Sequence, residues 1–195
     1  QMRTEITKLH QKLATTFIYV THDQIEAMTM GTRIVVMKDG IMQQVDTPQF
    51  LYDEPENIFV ATFLGSPQMN MFKATLHKEK DGLHARFGAN DILLPPDKAK
   101  RIIDEKYIGG KEVVMGIRPE DIHDEESFVK ANPKTVISAH VDVLEKLGNE
   151  TFIYMYTGGK EEYTVARVDA RTTVKPDQDT KFAVDANHVH FFDPD

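Results

Sequence analysis

The chain contains no cysteine. Disulfides, iron–sulfur clusters and thiolate-bound zinc are therefore excluded, and a reducing compartment suits the composition. No apolar run approaches the roughly 20 residues needed to cross a bilayer. Any work at a membrane is expected to go through a partner, without direct insertion. No signal-peptide pattern is visible. Positive charge is in the minority, with 23 Lys and Arg against 31 Asp and Glu, a formal net charge of −8 and a pI near 5.5. A nucleic-acid binder would show a basic stripe, and none is found, so no nucleic-acid partner is expected. A serine nucleophile elbow, G-x-S-x-G, is also missing. What remains is ordinary for a globular protein: 41% hydrophobic and 28% charged residues over 195 positions, enough for one large domain or two small ones.

The first 13 residues carry Met2, Ile6, Leu9 and Leu13 on one helical stripe. No N-cap precedes them, so the chain reads as a piece of a longer protein. Residues 17–20 form a short β-rich apolar run, read as a buried strand. Thr21, His22 and Asp23 follow, then a short helical pattern with an Asp23–Glu26 capping pair and a stop at Gly31. His22 is thus expected at the C-terminal edge of a strand, beside a helix N-terminus. That edge is where open α/β sheets hold ligands, and a helix N-terminus favours anions. From the residues alone, a ligand-facing histidine and a loop histidine that touches nothing both stay open. Residues 32–37 and 41–46 flank Asp39-Gly40, a hairpin signal. Thr47-Pro48 and Asn57 open two further short helices, the second ending at Gly65. Met28, Met30, Phe59 and Phe63 read as core.

The pattern changes after Ser66-Pro67. Short runs appear at 71–77, 83–87, 91–94, 111–117, 136–144, 151–156, 163–168, 181–184 and 189–192, separated by glycine-, asparagine- and proline-bearing turns. Such spacing predicts a small barrel or sandwich. One helix is expected over 96–107, with Ala99, Ile102 and Ile103 on one face. Residues 121–132 read as an acidic exposed loop. His188 and His190 fall on an alternating pattern that would put both imidazoles on one face, but no third metal ligand is evident. His10, His77, His84, His123 and His140 are scattered, and Arg118-Pro119-Glu120 reads as a charged turn with a structural ion pair.

Tyr19-Val-Thr-His22-Asp-Gln-Ile-Glu-Ala-Met28 resembles the switch-histidine segment of ABC transporter ATPases, in the branch of the maltose and multiple-sugar importers. Asp39-Gly40-Ile-Met-Gln-Gln-Val45, Thr47-Pro48, Leu51-Tyr52, Pro55 and Phe59-Val-Ala-Thr-Phe-Leu-Gly-Ser-Pro67 are similar to the end of that family's nucleotide-binding domain. Ser66-Pro-Gln-Met-Asn70, Gly116-Ile-Arg-Pro-Glu-Asp-Ile122 and Leu147-Gly-Asn-Glu-Thr151 are similar to its accessory C-terminal barrel. Together these stretches cover nearly the whole chain. The resemblance implies an α/β + β fold class. Residues 1–66 would be the C-terminal remnant of a P-loop nucleotide-binding domain, and residues 67–195 an OB-like (TOBE/MOP-type) barrel that regulates and dimerises. It also implies that His22 contacts the γ-phosphate of ATP across a subunit interface. The implied partners are a second copy and the transmembrane permease subunits of a sugar importer. The implied place is cytoplasmic, at the inner face of the cell membrane.

Nucleotide chemistry in that family needs a glycine-rich loop, G-x-x-x-x-G-K-[S/T], whose amides cradle phosphate. It is absent. Gly109-Gly-Lys111 and Gly158-Gly-Lys160 each run into glutamate and read as turns. An LSGGQ-like signature and an apolar strand ending in Asp-Glu are missing too. With neither cradle nor metal ligands, little stabilises a phosphoryl transition state. The chain alone is expected to hold no cofactor or metal, whereas the intact parent would use ATP and Mg. The alternative is a barrel that binds a small oxyanion through backbone amides. Only the Leu147–Thr151 turn suggests one, and Glu150 argues against an anion there.

Overall fold

A computed structural model describes residues 2–102, 105–158 and 162–194. The chain divides into two compact units, residues 1–68 and 69–195.

The first unit opens with helix α1 (Met2–Leu13) and, after an irregular stretch, helix α2 (Gln24–Met30). A hairpin follows, β1 (Ile34–Lys38) and β2 (Ile41–Asp46), closed by Asp39 and Gly40, both at positive φ. That pair of left-handed residues is what a two-residue hairpin turn demands. Helices α3 (Pro48–Asp53) and α4 (Ile58–Phe63) complete the unit, with Thr47 and Asn57 as their N-caps. The core is small: Val36, Leu51, Val60 and Leu64. Gln44 is buried among these elements and pays its polar cost fully, donating to Glu54 O and accepting from Glu56 N, both at 3.0 Å.

The expected strand over residues 17–20 does not form. The stretch is irregular, pairs with no strand among the described residues, and leaves Ile18 and Val20 each 91% exposed. The residues have strand chemistry, but a strand exists only through a neighbour that accepts its hydrogen bonds and covers its side chains. The apolar stripe of α1 is largely uncovered too: Met2, Leu9 and Leu13 are exposed, Ile6 is half-buried, and no described residue of that helix is fully buried.

In the second unit, β3 (Asn70–Glu79), β4 (Gly82–Phe87) and β5 (Asn90–Leu93) precede a short helix, α5 (Pro96–Arg101). Next come β6 (Glu112–Ile117), β7 (Ile122–His123), helix α6 (Glu126–Ala131), β8 (Val136–Lys146), β9 (Glu150–Thr157), β10 (Thr164–Asp169), β11 (Gln178–Val184) and β12 (His190–Phe192). These strands make two antiparallel five-stranded sheets, ordered β12-β6-β3-β4-β5 and β10-β9-β8-β11-β7. Side chains from both fill one core, including Leu76, Ile92, Met115, Ile137, Ile153 and Phe182. Every expected strand in this unit has its counterpart. The expected helix over 96–107 is shorter: α5 ends at Arg101, a 3-10 turn covers Glu105–Tyr107, and Ile103 lies outside the described residues. The expected loop over 121–132 contains β7 and α6 instead. Phe128 of α6 stacks on His123 at 3.9 Å, enough apolar cover to hold one and a half turns.

One polar side chain ties the two sheets together. Asn70, 5% exposed, donates to Ile117 O at 3.0 Å and to Val165 O at 2.9 Å, and accepts from Val165 N at 2.7 Å. Its amide completes the free edge of β10 as a strand would.

Candidate functional site

His22 sits on the turn that leads from the unpaired stretch into α2, and it is exposed. Its ring takes part in no hydrogen bond or ion pair among the described residues. Everything around it is fixed. Asp23 caps α2, its carboxylate accepting from Ile25 N at 2.8 Å and Glu26 N at 3.2 Å. Thr21 accepts from Asp23 N at 3.0 Å and donates to Glu26 at 2.7 Å, while Tyr19 donates to the same carboxylate at 3.3 Å. Glu26 therefore does not return to the cap backbone, as a capping box would have it; Thr21 takes that place. The nearby Glu26 charge holds the Tyr19 phenol above its ordinary value. At the other end of the unit, Gln24 accepts from Gly65 N at 2.8 Å, which anchors the first turn of α2 to the end of α4. Beside the turn lies a cavity of about 920 Å³, bordered by Phe17, Tyr19, Val36 and Phe63.

This arrangement presents one imidazole on a rigid mount and nothing else reactive. The expectation that the helix N-terminus itself attracts an anion fails, because Asp23 occupies the first-turn amides. No group of three metal-ligating side chains converges here among the described residues. The residues present do not fit a nucleotide on their own. What His22 can supply is a single hydrogen bond to something brought from outside.

His188 and His190 do not share a strand face. His188 lies in the turn before β12, with Nδ1 at 3.2 Å from Asp121 and 3.1 Å from Asp185, while the ring of His190 stacks on Phe192. Sequence spacing could not show that the third group would be Asp121. Arg118, expected in a charged turn, is 4% exposed. Burial pushes the Asp121 carboxyl up to about 6, with the charges of Glu120 and Asp185 adding and those of His188 and Arg118 opposing. Asp121 thus holds its proton more tightly folded than unfolded. Its contribution to stability is full below the ordinary aspartate range and is lost as pH rises through about 6. Relative to the native chain, Asp121→Asn is expected to gain on the order of 2 kcal/mol between about pH 4.5 and pH 7. Paired urea titrations at both pH values check this; a constant difference would remove the assignment.

Two family models match the chain: the MalK OB fold domain over residues 65–122 and the TOBE domain over residues 115–192. Among curated proteins, it is 50% identical over 99% of its length to the oligosaccharides import ATP-binding protein MsmX of Bacillus subtilis, covering 51% of that protein. It is 43% identical over 99% of its length to the osmoprotective compounds uptake ATP-binding protein GgtA of Synechocystis, again covering 51%. The chain therefore spans about half the length of the curated relatives it matches, and it aligns with their C-terminal half. Among solved structures, the molybdate-bound cytoplasmic protein ModG covers 64% of this chain and 96% of its own, with a TM-score of 0.50 at 17% identity. That likeness concerns the barrel fold alone.

Proposed function

We propose, on the premise that this chain belongs with the ATP-binding subunits of ABC importers and matches their C-terminal half, that its parent couples ATP hydrolysis to carbohydrate uptake. The observation that supports this most is 50% identity over an alignment that takes in 99% of the chain. In this reading His22 offers its hydrogen bond to the terminal phosphate held by an opposing subunit. The exposed ring on a fixed turn suits a contact made across an interface. Residues 67–195 act as the regulatory and dimerising domain, and residues 1–66 close the nucleotide-binding domain. A second copy and the transmembrane permease subunits are the partners. ATP and Mg belong to the intact parent, which works at the inner face of the cell membrane.

The chain as it stands is expected to bind ATP at least about 100-fold more weakly than the full-length subunit, because the phosphate cradle is the main source of affinity. Its hydrolysis should fall to background. Equilibrium dialysis with ATP and a phosphate-release assay on both proteins test the reading. Hydrolysis by residues 1–195 at a rate near that of the full-length subunit would overturn it.

A further inference from the structure

The outer face of the β8–β9–β10 sheet breaks the rule that its inner face obeys. On β9, Thr151, Ile153 and Met155 point inward and are buried, as alternation requires. The outward positions, where polar residues are expected, hold Phe152, Tyr154 and Tyr156. Tyr163 joins them from the chain entering β10. Its ring centroid lies 4.9 Å from that of Tyr156 and 5.7 Å from that of Tyr154. Two carboxylates hold this wall in place: Tyr154 donates to Glu145 at 2.9 Å, and Tyr163 donates to Asp142. Both phenols are held above their ordinary value, Tyr154 by burial and then Glu145, Tyr163 by its hydrogen bond to Asp142. They stay neutral donors, and each donated bond enriches its ring in electron density.

Beside the rings, Val143 is 47% exposed, a clean place for an aliphatic stem. Asp142 and Glu145 carry negative charge, and neither meets a cationic side chain among the described residues. The nearby Arg167 is engaged with Glu150 at 3.1 Å. The face therefore offers aromatic rings, carboxylates with no cation on them among the described residues, and an apolar rim together. We propose that this face docks an arginine- or lysine-bearing segment of a partner protein, with the cation over the tyrosine rings and against Asp142 and Glu145. Electron-rich rings attract a cation most when carboxylates share it, and a guanidinium can serve both at once. Tyrosine and arginine are also the residues that concentrate binding energy at protein interfaces. The net charge of −8 favours approach of such a segment from a distance.

The test titrates the whole chain with an acetylated hexa-arginine peptide, and with its citrulline counterpart, at about 150 mM salt, where long-range attraction is screened. The chain has no tryptophan and six tyrosines, three of them on this face, so a change in tyrosine fluorescence is assigned to the face only where Tyr156→Ala removes it. The arginine peptide should bind and the citrulline peptide should not. Tyr156→Ala, which changes no charge, should weaken binding about 10-fold or more, while Tyr156→Phe stays within about 2-fold. Asp142→Asn should weaken it, and Asp97→Asn, an exposed acid on α5, should not. Binding that survives Tyr156→Ala, or that falls equally with Asp97→Asn, would reduce the effect to general charge and overturn the proposal. So would light scattering in which Tyr156→Ala alone turns a dimer into a monomer, since the face would then belong to a second copy.

Discussion

Replacing His22 with alanine in the full-length subunit is expected to lower ATP-driven uptake by at least about 100-fold, the usual effect of deleting one donor to a developing anionic charge. ATP binding should stay within about 2-fold, because the affinity comes from elsewhere. The structure makes this a clean test. His22 is exposed and its ring makes no hydrogen bond or ion pair among the described residues, so its loss removes neither. The turn that carries it is held by Thr21, Asp23 and Glu26, all of which remain. A melting temperature equal to the native one should accompany the lost uptake. His22→Gln, which keeps a donor of similar reach, should recover part of the activity. Asp23→Ala is the contrasting variant, since it removes the cap of α2 and mixes folding with function. If His22→Ala transports within about 2-fold of the native subunit, the assigned role is lost.

The second large effect falls on stability. Asn70→Ala strips partners from Ile117 O, Val165 O and Val165 N in a buried place. Each orphaned group costs about 1–3 kcal/mol, so a loss of roughly 4 kcal/mol is expected, with a fall in Tm on the order of 10 °C. Asn70→Asp should be no milder at neutral pH. It still accepts from Val165 N but sets a carboxylate against two carbonyl oxygens. It should recover partly in acid, when the added proton restores one donor. Thermal melts of both variants at about pH 5 and pH 7.5 read this. An alanine variant within about 1 kcal/mol of native would mean that water replaces the amide, and the clamp would lose its importance.

The strands of the second unit were legible because alternation states which side faces in: β9 carries Thr151, Ile153 and Met155 inward, and β3 repeats the pattern through Phe72, Ala74 and Leu76. The caps were legible for the same local reason, since Asp23, Thr47 and Asn57 act within three residues of themselves. What failed was whatever depends on a distant partner. Residues 17–20 look like a strand, but no amount of valine and isoleucine supplies the neighbour. Nothing in the residues around Asn70 marks it as a clamp, and its importance lies 95 residues away at Val165. Helix α6 was hidden by its charge, because Glu125 and Glu126 read as solvated loop while the half-buried Phe128 and Val129 supply the anchor. At the candidate site, the capped helix beside His22 was legible from Asp23, whereas the role given to His22 rested on the family resemblance. It did not show that the helix amides would already be taken.

The two apolar cores differ greatly in size, and this has a thermodynamic consequence. A small cluster around Val36, Leu51, Val60 and Leu64 holds the first unit, and a layer shared by two five-stranded sheets holds the second. Domains with separate cores need not melt together, so each unit is expected to have its own melting temperature, the first read by His22→Ala and the second by Asn70→Ala. Gentle heat or brief protease treatment should open residues 1–68 first and leave the barrel behind as the durable fragment. The half that carries His22 is thus the half that relies most on company.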